Sequence, residues 1–77
     1  MYTIEITPDQ VRAARNLLHW SQSDLAERAG INRSTIADLE TGRLDPRAST
    51  LRAIVMALKQ EGVELTHDGI KKQAAER

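Results

Sequence analysis

Seventy-seven residues make one small domain, with a modest core and marginal stability unless helices pack tightly or a partner subunit helps. Eleven basic residues balance eleven acidic ones, which argues against indiscriminate polyanion binding, and the lack of cysteine excludes a disulfide framework or a thiolate metal site. No apolar run approaches the ~18 residues of a membrane span, and the start lacks a signal peptide's charged head and apolar middle, so a cytoplasmic protein with no membrane partner is expected.

Met1 to Ile6 alternates Tyr2, Ile4 and Ile6 with Thr3 and Glu5, the pattern of a short strand with one face to bury. Thr7-Pro8-Asp9-Gln10 then starts a helix: Thr7 caps, Pro8 sits where its missing N–H costs nothing, and Gln10 reaches back to Thr7. That helix runs to about Leu18, with Val11, Ala14, Leu17 and Leu18 inward and Trp20 plugging the space behind it. Ser21 and Asp24 form a second capping arrangement, for a helix ending near Ala29. Asn32 is expected to cap a third helix reaching about Thr41, closed by Gly42. Pro46 bars helix continuation through the next loop. Ser49 is expected to cap a fourth helix, whose Leu51, Ile54, Val55 and Leu58 form an amphipathic stripe ended by Gly62. Val63 to Lys72 reads as a hairpin with Asp68-Gly69 as its two-residue turn, followed by a frayed tail.

The stretch that organises the chain is Gln22 to Leu39, QSDLAERAGINRSTIADL. Two short helices meet across a turn, so the contact residue of the first must be small, as Ala26 is. Gly30 supplies the positive φ that ends the first helix. Ile36 and Leu39, three apart, face back to the core with Leu25. Arg33, Ser34, Ala37 and Asp38 are left on the outward side.

With Leu39-Glu40-Thr41-Gly42-Arg43 and Pro46 behind it, this stretch resembles the helix-turn-helix of the phage repressor family, the Cro/CI-like or Xre-like DNA-binding domains. The likeness covers about Val11 to Gly62. It implies a four-to-five-helix domain; with the short terminal β-strands read above, in which the chain departs from the minimal family domain, the whole is mainly α, divided as strand 1–6, helix-turn-helix 7–62, and a C-terminal hairpin and tail 63–77. It also implies a repressor that binds a pseudo-palindromic double-stranded DNA operator as a homodimer, its half-sites about 10 base pairs apart.

By that resemblance the third helix enters the major groove, with Arg33, Ser34 and Asp38 reading bases. Arg33 is the first choice for a bidentate contact to guanine. Asp38 either accepts from a cytosine amino group or orients Arg33 and Ser34. Gln22 and Asn32, at helix starts, and Thr41, Arg43 and Arg47, near the end of the third helix and in the loop after it, are the expected phosphate contacts, Gln22 with the free donors and partial positive charge of a helix start behind it. Arg15 and Glu40 match a buried pair that fixes the angle of the reading helix. Between Gln10 and Lys59 lie eight basic side chains, seven of them arginine, against five acidic ones, so a basic face on a neutral protein is expected. Arg12 and Arg28 read instead as ordinary surface arginines.

No paired carboxylates, Ser–His pair or metal-ligand spacing suggests an enzyme, a cofactor or a metal. Two alternatives to a repressor remain: an antitoxin whose residues after Gly62 hold a toxin, and a protein-interaction module without a DNA role. The dimer is expected to use either the terminal strands or the fourth helix near Leu44.

Overall fold

The computed structural model describes residues 6–43, 47–66 and 69–72. Four helices, α1 (Pro8–Leu17), α2 (Gln22–Ala29), α3 (Arg33–Glu40) and α4 (Ala48–Lys59), precede two antiparallel strands, β1 (Val63–Thr66) and β2 (Gly69–Lys72). The mainly helical class is as expected. The Met1–Ile6 strand, Leu44, Pro46, the residues between β1 and β2, and the tail lie outside the described residues, apart from Ile6, which packs against the core without belonging to a strand.

The helix starts follow from local chemistry. Thr7 Oγ1 accepts from the Gln10 N–H at 3.1 Å while Gln10 Oε1 accepts from the Thr7 N–H at 2.9 Å. Ser21 and Asp24 repeat the exchange at 3.0 and 2.9 Å. Two caps depart from expectation. Asn32 has the extended backbone of an N-cap, but its side chain makes no capping bond. Ser49 lies inside the first turn of α4, because helical bonding already begins at Arg47, whose carbonyl accepts from the Leu51 N–H at 3.1 Å.

Three helices end alike. After α2, the Gly30 N–H donates to the Glu27 carbonyl and the Ile31 N–H to the Ala26 carbonyl, with Gly30 at φ 73°. This is the paired bonding that turns a chain sharply out of a helix through a left-handed residue. Gly42 does the same after α3. After α1 the left-handed residue is His19, at φ 59°, where a side chain adds strain. A Cβ built on Gly30 would meet nothing within 4 Å. Backbone conformation, and not a lack of room, is what demands glycine in this turn.

The core comprises Val11 and Ala14 of α1, Leu25 and Ala26 of α2, Ile36 and Leu39 of α3, Ile54, Ala57 and Leu58 of α4, and Val63 of β1. Leu17, expected inward, is 38% exposed. At 100° per residue it sits 60° beyond Ala14 on the side away from Val11, whereas Leu18 falls back on their stripe and is half-buried. Val55 is likewise only half-buried, 100° from Ile54. The hairpin turn also shifts by one residue. Thr66 pairs with Gly69, which puts Gly69 in the strand and sets Leu65 opposite Ile70, both packed on the core. An Asp68-Gly69 turn would have set Leu65 opposite Lys72. Gln10 Nε2 donates to the Thr66 and Gly69 carbonyls, so the same residue that caps α1 ties the hairpin to it. Among the described residues no helix is long and apolar enough to cross a membrane.

Candidate nucleic-acid interface

What an exposed helix can read depends on how firmly it is held. Ile36 and Leu39 bury one side of α3 against α2, α1 and the rest of the core. At its far end Glu40, 4% exposed, is the one buried charged residue among the described residues. Its carboxylate takes a bidentate grip from Arg15 of α1: Nε donates to Oε2 at 2.8 Å and Nη2 to Oε1 at 2.9 Å. Gln22 Nε2, at the start of α2, donates to the same Oε1 at 3.2 Å. Arg15 Nη1 donates to the Trp20 carbonyl at 2.9 Å, which draws in the link between α1 and α2. The hydrogen bonds to Glu40, opposed by burial and reinforced by its charge, hold the Arg15 guanidinium above its ordinary pKa. Three helices therefore converge on one carboxylate.

The opposite side of α3 is open. Arg33 and Ser34, in its first turn, are exposed, as are Asn32 before it and Thr41 and Arg43 after it. Ala37 and Asp38 were expected to be as open, but both are half-buried. Among the described residues Asp38 makes no side-chain bond to Arg33 or Ser34, so the orienting role suggested for it has no support in these contacts. The Thr41 hydroxyl donates to the Asp38 carbonyl at 3.1 Å, and must rotate before it can donate outward. Among the described residues no group of three His, Cys, Asp or Glu side chains is placed to hold a metal ion.

The arginines divide into two sets. Arg12 pairs with Asp9 and reaches the Glu40 carbonyl, Arg15 is half-buried against Glu40, and Arg28 pairs with Glu61 at 3.2 Å with its guanidinium 5.0 Å from the centre of the Trp20 ring. Arg33, Arg43, Arg47 and Arg52 are exposed and make no ion pair or side-chain hydrogen bond among the described residues. The first set ties elements together; the second offers four open donor forks. Sequence reasoning missed the reach of Arg12 to the Glu40 carbonyl, of Arg28 to Glu61 and of Gln10 to the hairpin, because those partners lie on other elements and no local spacing announces them.

A helix-turn-helix family model matches residues 11–65, from the first buried residue of α1 into β1. The chain belongs to the helix-turn-helix family, in its Cro/CI-type branch. An HTH-type transcriptional regulator of Methanothermobacter thermautotrophicus is 40% identical over 65 residues, covering 79% of this chain and 94% of that protein. One from Archaeoglobus fulgidus is 41% identical over 54 residues, 70% of this chain and 24% of the relative. An immunity repressor protein of Bacillus phage phi105 is 41% identical over 49 residues, 64% of this chain and 34% of the repressor. The chain thus spans nearly all of the first relative but only about a quarter and about a third of the other two. In this helix-turn-helix, α2 and α3 are the two helices of the motif, Gly30 the bend between them, and β2 falls outside the family match.

Proposed function

We propose that this chain is a sequence-specific, double-stranded-DNA-binding transcriptional regulator, a repressor, that lays α3 in the major groove. One observation carries the reading. The helix after the Gly30 bend is anchored from within by Arg15 and Gln22 on Glu40, while Arg33 and Ser34 stand free on its outer side. A groove-reading helix needs both a fixed angle and donors free to meet base edges.

Arg33 reads a guanine through a bidentate contact, Ser34 bonds an adjacent base edge or phosphate, and Asp38 accepts from a cytosine amino group. Gln22 and Asn32, at the starts of α2 and α3, and Thr41, Arg43 and Arg47 on the other flank hold phosphates. The protein acts in the cytoplasm as a homodimer on a pseudo-palindromic operator, since one domain of this size covers only one half-site.

In vitro selection of bound duplexes, run in parallel on wild type, Arg33→Ala and Arg43→Ala, tests the reading. Selection should yield a guanine preference that vanishes in Arg33→Ala, while Arg43→Ala weakens all sequences alike. Equal loss across sequences in both variants would remove Arg33 as a base reader, and no preference in the wild type would remove the function.

A further inference from the structure

Gln22 is the first residue of α2 and Glu40 the last of α3, so their hydrogen bond spans the two helices of the motif from end to end. The Gln22 side chain is half-buried, and its amide approaches the carboxylate oxygen that already accepts from Arg15 Nη2 at 2.9 Å. We infer that Gln22 is a positioning residue for base recognition, its amide setting the tilt of α3 against α2 through Glu40. The inference rests on the proposed reading of bases by α3.

The two grips on Glu40 restrain different things. Arg15 neutralises the buried carboxylate and binds both of its oxygens, so it supplies most of the stabilisation. Gln22 adds a single neutral donor, and its removal leaves the charge still paired. What its loss releases is orientation. The eight residues of α3 make a rod about 12 Å long at 1.5 Å per residue. A tilt of about 5° at the Glu40 end moves the Arg33 end by about 1 Å, beyond the roughly 0.5 Å that a productive contact tolerates. An amide carries two hydrogens, so the one spent on Glu40 leaves the other for a phosphate at the start of α2. A phosphate ligand alone would not need a side chain turned toward Glu40.

The test is Gln22→Met, close in shape but without a donor, measured at fixed salt. Binding is titrated against the selected duplex and against the same duplex with the base pair under Arg33 exchanged, beside wild type and Arg43→Ala. The ratio of the two affinities should fall about three- to tenfold in Gln22→Met, within the range seen when a residue that couples two sites is changed, with little change in melting temperature. Gln22→Asn keeps the amide but is one methylene short of Glu40, and should lose discrimination as Met does. Arg43→Ala should leave the ratio unchanged. Equal weakening of both duplexes by Gln22→Met would make Gln22 a plain phosphate ligand, and an unchanged ratio, or full discrimination in Gln22→Asn, would equally overturn the coupling. A wild type that binds without preference would refute the proposed function itself, whereas a selective wild type with an equally selective Gln22→Met would refute only this inference.

Discussion

Replacing Arg15 with methionine should strongly destabilise the fold, through the charge it strands and not through lost packing. The Arg15 and Glu40 side chains are 13% and 3% exposed, so little water can replace the guanidinium. Three hydrogen bonds from the guanidinium vanish, two to Glu40 and one to the Trp20 carbonyl, each bond to a charged group worth about 1.5–3 kcal/mol, and the carboxylate keeps only the Gln22 amide. The expected loss is about 3–5 kcal/mol, the scale seen when one partner of a buried pair is removed. A domain of this length has roughly 4–12 kcal/mol in total. At about 4–8 °C per kcal/mol, the melting temperature should fall by well over 10 °C. Urea unfolding followed by circular dichroism and by Trp20, the one tryptophan of the chain, measures the loss. Glu40→Met should cost a similar amount, whereas the double variant, with no stranded charge, should recover most of it. Single losses under about 1 kcal/mol, or a double variant as damaged as the sum of the singles, would refute the reasoning. Because the folded-state pKa of Arg15 is raised, its share of stability is fully present at neutral pH and disappears only as pH climbs through that raised value. The Arg15→Met penalty should therefore not change between pH 6 and 8 on account of the arginine.

Gly30→Ala should cost about 1–2 kcal/mol, because φ 73° disfavours any Cβ although the site has room for one. His19→Gly, at φ 59°, should gain about 0.5–1 kcal/mol, and thermal melts of the two variants should move in opposite directions. In DNA titrations at several salt concentrations, Arg43→Ala and Arg47→Ala should each lower the slope of log affinity against log salt by about 0.9. Arg12→Ala should leave that slope unchanged, since its guanidinium is engaged with Asp9 and the Glu40 carbonyl.

The parts of the fold legible in the sequence were those decided within a turn or two of chain. Thr7 with Gln10 and Ser21 with Asp24 sit three residues apart and cap helices whatever lies around them. Gly30 and Gly42 mark left-handed residues by composition alone, while His19, in the same conformation, carries no such mark. Periodicity found the inner faces but blurred their edges: Leu17 and Val55 are neighbours of the buried stripe and were counted in it. The hairpin turn was misplaced for the opposite reason. Asp68-Gly69 is a strong local signal, yet register is fixed by pairing Leu65 with Ile70 over the core and by Gln10 gripping both strands from α1. At the candidate site, the Arg15–Glu40 pair is visible in one sequence only through a family likeness, since 25 residues separate the partners. The Arg12–Asp9 pair, three residues apart on α1, is local, but the rest of the division of the arginines into tied and open sets depends on tertiary neighbours, which no spacing encodes.

The most direct test is an amide chemical-shift map of the protein titrated with its selected duplex. If α3 occupies the groove, the largest changes should fall on Asn32 to Asp38 and on the first turn of α2, with smaller ones at Arg43 and Arg47 and almost none along β1 and β2. Changes centred on the hairpin or on the exposed side of α4, with the start of α3 unmoved, would contradict the account.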